Sequence, residues 1–509
     1  MGLLKITQNK HTVFLALLIV SAIIVRIIWS LWGALEYWGD GYHNVWIILQ
    51  SLELGEYFDY KDRHLVWLPA YRFLLWLEYY IFDPSSVNNH ITPLVLQFWY
   101  MIISIKFLKH TKDLYAGYIP TIFVLFWPLP ILFGGFNMSE SLALCTITSI
   151  FYYIQQSSSF KPLFFIAIFS AITALSRHEA TAFLGIYTVF LFFYHNRNSA
   201  YAITIGVIIG LCILCLWNWM LIEDPFFWLS SKFNASSAGA AEFIETIGFL
   251  PRISEAFFAV FLVIPFLPYL IGNVRKSFSI DATNMGKTNI SLMHLSTFAF
   301  LIVFLVSSLF FFHGADPKYL LIVSFPCALW SASALKKSST NKRTISISIL
   351  LLFVPLYGLL FHIRSYNLEL ERRLGATIHG VIPSPKHGIL WCDFPTVLVH
   401  ADWNPNKIIS TDQVQRYLKD STQSLSEILK QNNVEYIVSG DYDHSNVLHL
   451  FKEMNSKQPF SLDDIHFTPV KLIDPTIESL PENIDSFFPK LVSFTVRRNK
   501  ELIIWKLSW

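Results

Sequence analysis

Ionisable side chains are scarce in this chain and gather at the ends of long apolar runs. The first group lies in Leu35-Glu36-Tyr37-Trp38-Gly39-Asp40-Gly41-Tyr42-His43-Asn44, just past the first such run. An acid there stands where a hydrophilic substrate meets a lipid-borne one. Gly39 and Gly41 flank Asp40 and let the backbone approach a ligand closely. His43 follows three residues later, within reach of Asp40 if a helix begins here. The same Asp40 also reads as a solvated N-cap for a helix over 42–53. Glu140 closes a second group, Gly134-Gly135-Phe136-Asn137-Met138-Ser139-Glu140. A third is Ser176-Arg177-His178-Glu179, where Arg177 and Glu179 either face water or tie two helix ends together. The fourth is His313-Gly314-Ala315-Asp316-Pro317-Lys318-Tyr319. Lys318 has two readings, a point charge for a lipid phosphate or a side chain that snorkels to the interface.

The elements that position these groups are membrane spans. Of the 509 residues 53% are hydrophobic and only 15% charged, and mean hydropathy is +0.45. Soluble domains carry about 25% charged residues. Helical blocks fall near 13–33, 91–108, 115–134, 141–154, 162–176, 180–195, 200–222, 254–273, 293–313, 319–335 and 344–362, about eleven in all. Each approaches the roughly 20 apolar residues that cross a bilayer core. The run Trp67–Phe82 contains Arg72 and Glu78, and crossing would cost about 2.5–3.5 kcal/mol per charge. A surface helix avoids that cost. Reading it so keeps Lys5, Lys10, Lys106, Lys109, Lys112, Lys161, Arg197, Arg275, Lys276, Lys287, Lys336, Lys337, Lys342 and Arg343 on one side, as the positive-inside rule asks of the cytoplasm. The N-terminus is then cytoplasmic, and all four ionisable groups sit at outward mouths.

The expected architecture is an α-helical polytopic domain over 1–362, with outward loops 36–90 and 223–253, followed by an extracytoplasmic α/β domain over 363–509. The tail alternates strand-like runs (388–398, 436–439, 502–507) with helix-like ones (425–431, 446–454). Net charge of +2 suggests no nucleic-acid surface. Cys145, Cys212, Cys215 and Cys327 lie in apolar blocks and Cys392 stands alone in the tail, so no disulfide framework is expected. Sequons begin at Asn137 and Asn234 and face outward in this topology. A polytopic transporter or flippase of lipid-linked or small polar substrates is the alternative. It would place ionisable groups near the midplane, whereas here they gather at the mouths.

The order of motifs resembles the glycosyltransferase-C superfamily, in particular its dolichyl-phosphate-mannose–protein mannosyltransferases and lipid A aminoarabinose transferases. The resemblance rests on Gly39-Asp40-Gly41 after the first span and Trp67-Leu68-Pro69-Ala70-Tyr71 opening a surface helix. It also rests on Ser139-Glu140-Ser141-Leu142, on Leu175-Ser176-Arg177-His178-Glu179, and on Lys318-Tyr319-Leu320-Leu321, where Lys replaces an Arg. The loop opening Glu223-Asp224-Pro225-Phe226-Phe227-Trp228 occupies the family's second long outward loop. Two departures stand out. Gly41 follows Asp40 where many protein mannosyltransferases have a second acid; either Glu36, one turn upstream, substitutes or a second acid is unnecessary. A Trp-Trp-Asp motif of oligosaccharyltransferases is missing, which favours transfer of one sugar.

The resemblance implies a polyprenyl- or dolichyl-phosphate sugar donor, a mannose-like hexose, and a protein, lipid or glycan acceptor outside the membrane, with membrane lipids around the spans. It also favours a prokaryotic cell membrane over the endoplasmic reticulum. On this reading Asp40 is the general base, helped by Glu36 and His43. Arg177, Lys318 and Tyr319 hold the donor phosphate, and Glu140, Glu179 and Asp316 orient them. A divalent metal ion at Asp40 and His43 would have only two ligands from this set.

Overall fold

The computed structural model describes residues 2–30, 68–82, 91–111, 118–157, 159–194, 196–229, 285–310, 317–336, 339–356, 389–392, 407–409, 424–440, 447–473 and 502–509, with isolated positions between them. The chain divides into two compact units, one formed by Met1–Leu35, Leu65–Leu75 and His90–Gly358, the other by Glu36–His64, Trp76–Asn89 and Leu359–Trp509.

Apolar blocks become helices in the first unit because a backbone in hydrocarbon must satisfy its own hydrogen bonds. They are α1 (Gly2–Ile28), α2 (Pro69–Ile81, whose first half belongs here), α3 (Ile91–His110), α4 (Tyr118–Leu125), α5 (Pro128–Leu132), α6 (Ser139–Ile154), α7 (Phe160–Ala174), α8 (His178–Phe193), α9 (Arg197–Ile222) and α10 (Met285–Phe310). A 3₁₀ stretch, Pro317–Val323, leads into α11 (Ser324–Lys336), and residues 340–356 form α12. Among the described residues four helices are long and apolar enough to cross a membrane, or five if a bent pair counts as one. Shorter apolar helices cover Thr12–Ile28, Phe160–Ala174 and His178–Phe193. The block expected at 254–273 lies outside the described residues.

Two differences from the sequence reading have clear causes. The block 115–134 is not one straight span: α4 and α5 are bent by 44°. Pro128 at the start of α5 has no N–H to continue the ladder, and it pushes Trp127 into extended backbone (φ −61°, ψ 128°). Within 69–81, Arg72 and Glu78 are both buried by protein, so this helix does not simply lay its charges toward water.

Packing follows residue size. Gly206 and Gly210, four apart on α9, face Ala167, Ser170, Ala171 and Ala174 of α7. A Cβ on Gly206 would stand 2.1 Å from the Ala167 carbonyl oxygen, so only glycine permits this approach. The opposite face of α9 exposes Tyr201, Ile205, Ile208, Ile209, Ile213, Leu216 and Met220, a face suited to lipid. Elsewhere Phe325 of α11 meets Tyr100 and Phe107 of α3 and Phe151 of α6 at ring separations of 6.3, 5.2 and 6.2 Å.

The second unit contains a six-stranded sheet of β1 (Ile389–Trp391), β2 (Ile408–Ile409), β3 (Val434–Gly440), β4 (Phe460–Leu462), β5 (Ile465–Ile473) and β6 (Leu502–Ser508), in the order β2-β1-β3-β6-β5-β4. β1 pairs in parallel with β2 and β3, and the remaining pairs are antiparallel. Helices α13 (Leu425–Gln431) and α14 (Val447–Leu450) supply Ile428, Leu429 and Val447 to a core that includes Trp391, Ile437, Phe451, Phe467 and Trp505. Ser424 caps α13 in a reciprocal capping box with Glu427. The Trp505 indole donates to Ser439 Oγ at 2.7 Å, which satisfies both buried groups.

Candidate active site

The site is built on two helix starts and one 3₁₀ segment of the first unit. After α7 ends, the Arg177 backbone becomes extended (φ −154°, ψ 134°) and forms the N-cap of α8. Its N–H donates to the Thr173 carbonyl at 3.1 Å, and its own carbonyl accepts from Thr181 Oγ1 at 3.0 Å. The Ala70 N–H at the start of α2 donates to the Leu175 carbonyl at 3.0 Å, clamping the same turn from outside. These bonds fix the backbone and leave the Arg177 side chain for other work.

That side chain joins two carboxylates. Nε donates to Glu179 Oε2 at 3.1 Å, and Nη1 lies 3.4 Å from Glu140 Oε1. The second contact is long for an aligned hydrogen bond, and we read it as an ion pair. Glu140 is 1% exposed, Arg177 8% and Glu179 25%. Both carboxylates sit in the first turn of a helix, α6 and α8, where the positive end of the helix dipole favours negative charge. Ser139 Oγ also donates to Glu140 Oε2 at 3.4 Å.

The Arg177 guanidinium carbon lies 5.2 Å from the Tyr319 ring centroid, and Lys318 Nζ lies 5.3 Å from the same centroid. Both cations are thus in cation–π range of one ring. Lys318 is buried. The structure therefore brings Glu140, Arg177, Glu179, Lys318 and Tyr319 together from three stretches of the chain, Arg177 lying 37 residues after Glu140 and Lys318 139 after Glu179. Glu36, Asp40, His43 and Asp316 lie outside the described residues. Helical, buried Asn44, Val45 and Ile48 follow Asp40 in the chain and belong to the second unit. Among the described residues no three or more His, Cys, Asp or Glu side chains gather as metal ligands.

Three features escaped the sequence reading. His178 stacks on Trp228 at 5.3 Å and 17°, which brings the loop after α9 beside the Arg177 turn. Its only signal was an aromatic-rich stretch, Phe226-Phe227-Trp228. Tyr71, whose hydroxyl is 3.5 Å from both the Phe136 carbonyl and Asn137 Oδ1, ties α2 to the approach to Glu140. Asn137 is itself fully buried, which seals that sequon. Third, Arg26 is a buried charge inside the first apolar block, away from the four ionisable groups at the ends of such blocks.

No family model matches the chain, and no curated protein sequence does either. Solved structures do match. ArnT from Cupriavidus metallidurans bound to undecaprenyl phosphate aligns with a TM-score of 0.59 at 11% identity, over 97% of this chain and 98% of that one. The apo state of the same protein aligns with a TM-score of 0.58 at 11% identity and the same coverage. The chain thus shares the fold of these solved structures across nearly its whole length.

Proposed function

We propose that the chain is a membrane glycosyltransferase that moves one sugar, a mannose-like hexose, from a polyprenyl or dolichyl phosphate to an acceptor outside the membrane. The observation that carries the reading is the buried Glu140–Arg177–Glu179 and Lys318–Tyr319 cluster in a chain with an ArnT-like fold. Buried cations at the end of a span suit a lipid phosphate.

In this mechanism an acceptor hydroxyl oxygen attacks the anomeric carbon and its proton passes to the Asp40 carboxylate. The bond between that carbon and the phosphate oxygen breaks, and its electron pair leaves with the carrier phosphate, so the anomeric centre inverts. The leaving phosphate is already anionic and needs cations more than an acid. Lys318 and Arg177 supply them, with Tyr319 beneath both, and charge-assisted contacts are about twice as strong as neutral ones. Glu140 and Glu179 orient Arg177. Glu36 and His43 support Asp40, and Asp316 supports Lys318. A divalent ion at Asp40 and His43 is an addition this scheme does not require. The domain over 1–362 carries the chemistry, and 363–509 forms an extracytoplasmic α/β domain, with the N-terminus in the cytoplasm of a prokaryotic cell.

The test is radiolabelled sugar transfer from a panel of polyprenyl-phosphate sugars by purified wild type and Asp40→Asn. Turnover by wild type alone supports the class and the base. A folded Asp40→Asn protein with full activity removes Asp40, and donor affinity unchanged in Lys318→Ala removes the phosphate assignment.

A further inference from the structure

Arg26 on α1 is fully buried, and Nη1 donates to the Ala22 carbonyl, one turn back on its own helix, at 3.2 Å. Nε and Nη2, the side-on edge that grips two oxygens at once, have no hydrogen-bond partner. A buried guanidinium with its fork unused is unfavourable unless something fills it.

Unfilled polar atoms also lie further along α1 and on the segments that pack against it. Ser30, four residues further along α1, has a buried Oγ without a partner. So do both amide atoms of Gln97 on α3 and the indole nitrogen of Trp127 at the α4–α5 break. These segments pack against each other. Trp29 donates to the Leu132 carbonyl at 2.9 Å, and a Cβ on Gly134 would meet Gln97 Cγ at 3.0 Å. Tyr100, one turn from Gln97, is within electrostatic reach of Arg26 and donates to the Val124 carbonyl at 3.3 Å. Of the six unpartnered atoms only Gln97 Oε1 is purely an acceptor. The seam is cationic and rich in donors, which fits a ligand that is anionic and rich in acceptors.

We propose that the Nε/Nη2 edge of Arg26, with Ser30, Gln97 and Trp127 around it, binds the phosphate monoester of a carrier lipid. The subsite is built on α1, α3 and the α4–α5 break, whereas Lys318 stands on the 3₁₀ stretch Pro317–Val323. The inference takes from the proposed function only the class of ligand. A site there would hold the carrier's phosphate at a second level of the bundle, before or after it occupies Lys318.

The test measures binding of undecaprenyl phosphate, undecaprenol and inorganic phosphate to the full chain in nanodiscs. Wild type is expected to bind the lipid phosphate and not the alcohol. Arg26→Lys keeps the charge and loses the fork, and is expected to bind roughly tenfold more weakly, the loss of one good charge-assisted contact. Arg26→Met is expected to fold with unchanged or higher thermal stability without lipid, since it removes an unpaired charge, and to lose the stabilisation that lipid phosphate gives wild type. Wild-type binding by both variants overturns the proposal. Arg26-dependent binding of inorganic phosphate with none of the lipid phosphate overturns the lipid as its source. Lys318→Gln separates the two readings: if it alone loses the lipid phosphate, the Arg26 subsite falls and the proposed donor site stands. If Arg26→Lys alone loses it, the Arg26 subsite stands and the Lys318 assignment falls.

Discussion

Replacing Glu140 by Gln tests whether the buried ion pair holds the site together. The substitution keeps shape and a hydrogen-bonding oxygen but removes one charge from a pair whose side chains are 1% and 8% exposed. Removing one partner of a buried pair costs about 3–5 kcal/mol, because the other charge stays buried. Arg177 keeps Glu179 at 3.1 Å and the Tyr319 face, so the cost falls at the low end, about 3 kcal/mol or a hundredfold in the folded-to-unfolded ratio. Glu179 is 25% exposed, and Glu179→Gln is expected to cost at most about 1 kcal/mol. Unfolding in mixed micelles with a rising fraction of sodium dodecyl sulfate, followed by tryptophan fluorescence, measures both. Adding Arg177→Met to Glu140→Gln removes the stranded cation and is expected to recover part of the loss. Equal costs for the two glutamates, or a double variant weaker by the full single-site sum, would refute the reasoning.

The helix contact at Gly206 gives a second expectation. Gly206→Leu forces α7 and α9 apart at the Ala167 carbonyl and should abolish the monodisperse folded peak in size-exclusion chromatography, whereas Gly185→Ala, with nothing within 4 Å, should be neutral or stabilise by about 0.5–1 kcal/mol. In the sheet, Trp505→Phe strands buried Ser439 Oγ and should cost about 1–3 kcal/mol in denaturant unfolding, while Ser439→Ala in that background should return part of it. Pro128→Ala restores an N–H at the α4–α5 break. If the proline sets the 44° bend, disulfide cross-linking between cysteines placed across the break should change its preferred pairs.

Much of the frame was legible because lipid imposes one backbone solution and sequence hydropathy reports it. The ends of α6, α7 and α8 fall within a few residues of their apolar blocks. Elements of the tail at 425–431, 434–440 and 502–508 coincide with the runs read from alternation and periodicity. The hairpin of β4 and β5 was not read. Its turn is Asp463-Asp464, and Asp463 takes left-handed backbone (φ 53°), a role for which glycine or asparagine is the stronger signal. The α7–α9 contact was also missed: two glycines four apart in an apolar run read as composition until the facing alanines are known. Arg26 was overlooked for a related reason. One charge among some twenty apolar residues barely moves a hydropathy window, and only its surroundings show that its fork is unused.

On the proposed reading, the charges around Arg177 explain how an acid-rich cluster can still favour an anion. Glu140 and Glu179 bring two negative charges, and Arg177 and Lys318 bring two positive ones, a formal balance of zero. Each carboxylate, however, sits in the first turn of a helix, and a helix N-terminus carries about +0.5 of an elementary charge. The two termini together offset about one of the two negative charges. What remains is a local excess of about one positive charge beside Tyr319, in a setting largely withdrawn from water. The carboxylates hold Arg177 in place without cancelling the field a phosphate would meet. Moving the acid beyond the first turn of α8, as in the paired change Glu179→Ala with Ala182→Glu at an exposed position, would keep the formal charge and lose the dipole's offset. Weaker lipid-phosphate binding at unchanged net charge is the expected result, and unchanged binding would remove the helix termini from the account.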